Sequence, residues 1–91
     1  MTGLIAFLNA RLDEDEARAK RGQSDGWLFG SRALREIEAK RAIMADHYAS
    51  DRLEYGDPLC ARCFDLHPCD VLFHLATVYS DHPDYRQEWA P

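Results

Sequence analysis

Cys60-Ala61-Arg62-Cys63-Phe64-Asp65-Leu66-His67-Pro68-Cys69 is the stretch that decides the fold, because it spaces three cysteines as C-x2-C-x5-C. Two cysteines separated by two residues can direct both sulfurs to one ion from a tight turn. The third sulfur lies at the predicted start of a helix, where the helix N-terminus favours a thiolate. This stretch therefore predicts three of the four ligands of a tetrahedral zinc site.

The fourth ligand has to come from elsewhere, because a closed structural zinc site needs four protein donors. His47 ends the predicted second helix and would tie a helical hairpin to a third helix. Three other histidines compete: His67 lies inside the cysteine run, His74 in the third helix and His82 at the start of the tail. We predict His47 as the ligand. The alternatives are His67, His82, His74, an acidic side chain or water.

An iron–sulfur cluster is the main alternative to zinc, since C-x2-C-x5-C is also the cysteine spacing of the WhiB-like cluster-binding regulators. Those proteins supply a fourth cysteine where this chain has His47, and they carry a Gly-Trp turn that is missing here. Three thiolates and one imidazole are a common structural zinc shell, so zinc is the predicted cofactor. Buried free thiols and a redox C-x-x-C are the remaining interpretations, and no strand pattern supports the second.

Apolar periodicity N-terminal to the cysteines predicts a first helix. No proline or glycine interrupts the sequence from Leu4 to about Arg21, and Thr2 can serve as its N-cap. The apolar residues with helical spacing are Leu4, Ile5, Leu8 and Leu12. Acidic side chains precede basic ones at i, i+4 in its second half, which is typical of a solvated helix face.

A turn and a second helix follow. Gly22-Gln23-Ser24-Asp25-Gly26 has turn composition, and we expect Trp27-Leu28-Phe29 to pack between the helices. Ser31 is the predicted N-cap of a helix from about Arg32 to Tyr48. The two helices should form an antiparallel hairpin.

The C-terminal third of the chain predicts one more helix and a short helical tail. Gly56, Asp57 and Pro58 indicate an irregular segment before the cysteines. Helix three should begin near Pro68 and run to about Ser80. Its predicted buried face is Val71, Leu72, Leu75, Ala76 and Tyr79. The tail from His82 to Trp89 should form one or two helical turns that place Tyr85 and Trp89 against the hairpin.

The length of 91 residues allows one domain and is too short for two. A chain of this size buries about 60–65% of the surface of its unfolded form, so its stability is marginal without an additional staple. We therefore predict a single all-α domain, a small helical fold stapled by zinc. Its parts are a helical hairpin (1–48), a metal-binding loop (49–69), and a third helix with a C-terminal tail (70–91).

Charge is divided unevenly along the chain. Residues 1–45 contain 8 basic and 7 acidic side chains, whereas residues 46–91 contain 3 basic and 9 acidic ones. The acidic second half would repel a nucleic acid, which disfavours non-specific binding through the metal-binding part. No apolar run reaches the ~18–20 residues of a membrane span, and the N-terminus lacks the basic region of a signal peptide. A soluble cytoplasmic protein with reduced cysteines and no membrane partner is predicted.

The chain resembles a family of small, uncharacterised actinobacterial and actinophage proteins that is classed only as a domain of unknown function. The resemblance covers nearly the whole chain, and the tail is its most specific part. It rests on 5–16, 35–41, Cys60, Cys63, Pro68, Cys69 and 79–89, which includes Asp81-His82-Pro83-Asp84-Tyr85-Arg86-Gln87-Glu88-Trp89. The family pattern also has a histidine at the end of the second helix, matched here by His47. The resemblance implies no activity.

A zinc-binding module that contacts a protein partner is the function these features favour, with a structural metal and no enzymatic activity. The partner would engage the first two helices or the aromatic tail. A regulator that binds DNA or the transcription machinery is the alternative, since helix two carries Arg32, Arg35, Lys40 and Arg41 among its acidic residues. A zinc hydrolase with Asp65 or Asp70 as base is less favoured, because three thiolates weaken zinc as a Lewis acid. The process and the oligomeric state are not predictable.

Overall fold

Two long helices and a smaller metal lobe make up the chain. The computed structural model describes the backbone of residues 2–25 and 27–90 and the side chains of residues 3–21 and 31–90. The elements are α1 (Thr2–Asp25), α2 (Trp27–Asp46), β1 (Ala49–Glu54), β2 (Asp57–Cys60), α3 (Asp70–Thr77) and a 3₁₀ turn (Gln87–Trp89). We call residues 47–77 the metal lobe. Within the described residues, no helix combines the length and apolar character needed to cross a bilayer.

Helices α1 and α2 pack as the predicted antiparallel hairpin. Leu12 and Ala19 of α1 bury against Ile37 of α2, while Met44 near the end of α2 reaches the cluster around Leu4. Across the exposed side, Arg41 donates hydrogen bonds to Asp13 at 2.7 Å and to Glu16 at 2.9 Å. The hydrogen bond from Arg41 to Glu16 and the positive charge of Arg41 lower the pKa of Glu16.

The predicted boundary between the two helices is wrong. Helix α1 continues to Asp25 instead of ending near Arg21, and α2 already begins at Trp27, so Ser31 lies inside a helix and is no N-cap. A glycine inside a helix is less favourable than alanine by only about 1 kcal/mol, and packing between α1 and α2 outweighs this. The side chains of Thr2 and of Trp27-Leu28-Phe29, and Gly26 as a whole, lie outside the described residues.

The prediction of an all-α domain is also wrong, because residues 49–60 form a two-stranded antiparallel sheet where an irregular loop was expected. In its register, Ala49 pairs with Cys60 and Glu54 with Asp57, with an irregularity between them. Ser50 fills this irregularity, since its hydroxyl donates to the Leu59 carbonyl at 2.7 Å and accepts the Arg52 N–H. The chain is therefore a small mixed α/β domain.

The turn between β1 and β2 has only two residues. Tyr55 and Gly56 have φ angles of +52° and +87°, and a type I′ hairpin turn requires positive φ at both central positions. Glycine adopts this conformation freely, whereas a tyrosine there is unfavourable by about 1–2 kcal/mol. Pro58 is tolerated in β2 because both strands of a two-stranded sheet are edge strands.

The metal lobe and the start of α1 share one apolar core. Its buried members are Leu4, Phe7, Leu8, Cys60, Cys69, Leu72, Ala76 and Trp89. Helix α3 is shorter than predicted, spanning Asp70–Thr77 with Cys69 as its N-cap residue. The predicted buried face of this helix is confirmed, because Leu72 and Ala76 are buried and the other three side chains pack against the same core.

The C-terminal tail closes this core by wrapping around Phe7. The centroid of the Phe7 ring lies 5.1 Å from that of Trp89. Three further ring centroids lie between 5.7 and 6.2 Å from it. Those rings belong to Tyr79, His82 and Tyr85. Trp89 is only 3% exposed, which confirms that the tail is part of the core. The predicted helical turns are reduced to the 3₁₀ turn, and the Tyr85 and Trp89 rings contact each other edge to face at 5.6 Å.

Tyr79 connects the end of α3 to α1 through a hydrogen bond that makes stability depend on pH. Its hydroxyl donates to Asp15 Oδ2 at 2.7 Å. Burial, the hydrogen bond and the negative charge of Asp15 raise the pKa of Tyr79 above its usual value of 10.0. The neutral phenol is therefore favoured by folding, so its contribution is full below pH 10 and is lost as the pH rises through the folded-state pKa.

We expect Tyr79→Phe to lower the free energy of unfolding by about 1 kcal/mol at neutral pH. The difference between the parent and the variant should shrink above about pH 10, because the parent then loses the contribution of the phenol. Urea titrations of both chains between neutral and strongly alkaline pH measure this. Parallel pH profiles for the two chains would contradict the role of the hydrogen bond.

Candidate metal centre

Three separate parts of the metal lobe each supply donors to one point. His47 follows the last turn of α2, where its N–H still bonds to the carbonyl of Ile43. Cys60 is the last residue of β2, and Cys63 lies in the tight turn after it. Cys69 precedes α3 as its N-cap residue. The structure thus brings together the end of α2, the hairpin and the start of α3.

The four donor atoms lie within 4.8 Å of one another. The imidazole Nδ1 of His47 is 3.4 Å from each of the three cysteine sulfurs. One nitrogen has a single proton or a single lone pair in the ring plane, so a hydrogen bond could explain only one of these contacts. Three equal distances are the pattern expected when four donors surround a common centre.

The dimensions fit a zinc ion. Zn–S bonds of about 2.3 Å and Zn–N bonds of about 2.0–2.1 Å at a tetrahedral angle separate nitrogen and sulfur by about 3.6 Å. The observed 3.4 Å is close to this value. The donor types fit as well, because thiolate and imidazole are the ligands that zinc takes in structural sites. Burial supports the same role, since Cys60 and Cys69 are 0% and 2% exposed.

The thiols of Cys60 and Cys63 have pKa values shifted in opposite directions. Burial raises the pKa of Cys60, but the backbone N–H groups of Cys63 and Arg62, followed by His47 and Cys69, lower it to about 7. Burial and the neighbouring Cys69 and Cys60 raise the pKa of Cys63 to about 11. Like charges packed this closely oppose ionisation. A cation between the sulfurs would relieve this opposition, and metal binding would then release protons.

His67 has a supporting position. Its Nε2 donates to the backbone carbonyl of His47 at 3.1 Å, and its own N–H donates to the carbonyl of Pro58 at 3.0 Å. His67 therefore fastens the residue that carries the imidazole donor to β2. Such supporting contacts orient metal ligands and affect affinity.

The other two histidines lie outside the cluster. His82 contacts Arg11 through its ring nitrogens and accepts the backbone N–H of Asp84 on Nδ1 at 3.0 Å. It therefore belongs to the contact between α1 and the tail. His74 is exposed on α3. Among the described residues, no second group of three or more potential metal ligands converges.

Sequence reasoning missed the β-hairpin formed by β1 and β2, and it missed the role of His67. It treated His67 only as a competing ligand, because its contact with the His47 carbonyl exists only after β2 has folded. The Tyr55-Gly56 pair was the available signal, since a glycine between two short segments can indicate a two-residue turn. The exposure of nearly all of β1 hid the rest of the pattern.

The fold and the site together define a small mixed α/β domain with one candidate Cys₃His metal centre. Residues 29–91 match a family of unknown function, DUF6221, and the chain belongs to this family. The matched region includes all of α2 except its first two residues, the whole metal lobe and the tail, and hence all four candidate ligands. No curated protein and no solved structure matches the chain significantly.

Proposed function

We propose that this chain is a zinc-stabilised protein-interaction domain whose metal is structural. The observation that carries the proposal is the equal 3.4 Å distance from His47 Nδ1 to the sulfurs of Cys60, Cys63 and Cys69. A metal at this centre would hold three segments that share only a small core. Free, clustered cysteines are typical of a reducing compartment, so a cytoplasmic location is part of the proposal.

The spacing of the donors favours zinc over an iron–sulfur cluster. Donor atoms within 4.8 Å of one another leave room for a single ion between them. A cluster inserts several iron and sulfide ions between its ligands and therefore spreads those ligands further apart. The imidazole in the fourth place also fits the common Cys₃His zinc shell.

The number of donors favours a structural role over a catalytic one. Catalytic zinc sites keep three protein ligands and an open position for water or substrate, whereas structural sites are closed by four. Here four protein donors surround the centre. Asp65 and Asp70, the acids considered as a base, are not members of the converging group. We therefore propose no enzymatic activity.

Charge favours a protein over a nucleic acid as the partner. The basic residues of α2 that would meet DNA are partly neutralised, since Arg32 pairs with Glu36 at 3.3 Å and Arg41 pairs with two acids of α1. The half of the chain that carries the metal site is acidic. A zinc ion bound by three thiolates and a neutral histidine adds one further negative charge.

Elemental analysis of the purified full chain tests the metal assignment. We expect a single zinc ion per chain after dialysis, no stoichiometric iron or acid-labile sulfide, and no visible absorption band. Expression in medium supplemented with iron serves as the control, because it offers the competing metal. A chain that carries iron and sulfide, or that purifies without metal and folds identically, would contradict the proposal.

A further inference from the structure

Large apolar side chains are exposed in one short part of the chain. The described residues include seven exposed large hydrophobic side chains, and five of them lie between residues 48 and 66. These five are Tyr48, Leu53, Tyr55, Phe64 and Leu66, each 50–98% exposed. We call them the hairpin surface. Such a concentration of exposed apolar side chains is typical of a site where another molecule binds.

The segments that carry this surface are joined to each other and to the metal centre. Tyr48 follows the ligand His47, and Phe64 follows the ligand Cys63. The Arg52 guanidinium lies over the Phe64 ring at 5.4 Å, and Leu66 forms a bridge with Leu59 of β2. These contacts therefore hold β1, β2 and the turn after Cys63 against one another, next to the candidate metal centre.

Two of the five side chains have an unfavourable backbone conformation. Tyr55 and Phe64 have φ angles of +52° and +61°, and they are 98% and 58% exposed. Bulky residues are rare at positive φ, where asparagine and glycine are preferred. Neither ring is buried in the core, and the contact of Phe64 with Arg52 lies at the surface, so core packing gives no reason for an aromatic residue at either position. Binding by the exposed rings would give one.

The charges around the hairpin surface specify the partner. Asp51, Glu54, Asp57 and Asp65 form no ion pair within the part of the chain that the structure describes. The two basic residues of this region are engaged, because Arg52 covers Phe64 and Arg62 pairs with Asp46 at 3.6 Å. Unpaired carboxylates around exposed apolar side chains are complementary to a segment that carries both basic and apolar residues.

We propose that the hairpin surface docks a basic segment of a protein partner, in which lysine or arginine alternates with large apolar side chains. The apolar side chains of this segment would contact Tyr55, Phe64 and Leu53, while its cations would face the four carboxylates. This inference rests on the proposed function, because it names the surface and the partner chemistry of the same domain.

Selection from a random peptide library displayed on phage tests the inference, with the full-length zinc-loaded chain as bait. We expect the selected peptides to be enriched in both basic and large apolar residues. Affinities of resynthesised peptides are then measured by titration calorimetry at low and high salt. Binding should weaken at high salt, because it depends on partly exposed charges.

Variants of the bait locate the binding surface. We expect Tyr55→Asn and Phe64→Asn each to weaken binding about tenfold or more, as loss of an aromatic anchor does. Asparagine tolerates positive φ, so the melting temperature of both variants should equal or exceed that of the parent. Val78→Ser is the matched control, since Val78 is 61% exposed outside the hairpin surface and its replacement should leave affinity unchanged.

Several results would overturn the inference: enrichment of acidic peptides, no enrichment over the Tyr55→Asn bait, or self-association of the chain through this surface. Unchanged affinity in both asparagine variants would overturn it as well. The zinc content of the bait is measured first, so that failure of the metal assignment is recognised separately from failure of the binding surface.

Discussion

Replacing His47 with alanine is expected to abolish tight zinc binding and to unfold the metal lobe. The variant loses one of the four donors at the common centre, and its three thiolates would keep a centre open to water. Zinc contributes on the order of 10 kcal/mol or more of apparent binding free energy to folding in comparable sites. A domain of this size has a total stability of about 5–15 kcal/mol, so the loss cannot be compensated.

Competition with a chromophoric chelator measures the zinc affinity of the His47→Ala chain, and circular dichroism measures its melting. The variant should melt like the parent after metal removal. His74→Ala is the matched control, because His74 is exposed on α3 and lies outside the converging donors. This control should bind zinc and melt like the parent. If His47→Ala kept the parental affinity and melting temperature, the metal centre as described would be refuted.

The second large effect is expected at Trp89. This side chain is 3% exposed and packs its ring 5.1 Å from Phe7 and 5.6 Å from Tyr85. Truncating a buried tryptophan to alanine removes its transfer free energy and leaves a cavity, which together reduce stability by about 3–5 kcal/mol. We therefore expect Trp89→Ala to be largely unfolded at moderately raised temperature even when zinc is saturating.

Urea unfolding of zinc-saturated chains measures this effect. Val78→Ala is the control, since the exposed Val78 side chain should change stability by no more than about 0.5 kcal/mol. Trp89→Phe should fall between the two, because it keeps a ring against Phe7. Equal stabilities for Trp89→Ala and the control would show that the tail does not stabilise the core in solution.

The helices and the donors were predictable because their signals are local. Leu4, Leu8 and Leu12 recur at helical spacing and are all buried, and the face of α3 was identified by the same rule. The cysteine spacing and the end of a helix at His47 gave the four donors by residue type and position. The burial of Trp89 followed from the need to cover the core.

The β-hairpin formed by β1 and β2 was not predictable by these rules. A strand is recognised when one face is buried and polar residues alternate with apolar ones. In β1 every residue except Ser50 is exposed, so neither face selects apolar side chains. Its sequence therefore lacks the alternation of apolar and polar residues. The strands are held by the Tyr55-Gly56 turn, by the Ser50 hydroxyl and by the hydrogen bond from the Ala61 N–H to the Tyr48 carbonyl. These contacts exist only in the folded chain.

The helix boundary failed for a different reason. Gly22 indicates a turn together with the residues that follow it, but it lies within α1. The preference of glycine against helix is small compared with the packing of two long helices along their length. The role of His67 was not predictable either. It depends on the backbone carbonyl of His47, which lies twenty residues away along the chain.

The spacing of contacts along the chain has a consequence for the order of folding. The donors from His47 to Cys69 span only 22 positions, whereas Arg11 and His82 meet across 71. Closing a short segment restricts the chain less than closing a long one, so local contacts form faster. The four donors can therefore converge before the distant contact between Arg11 and His82 closes the aromatic cluster around Phe7.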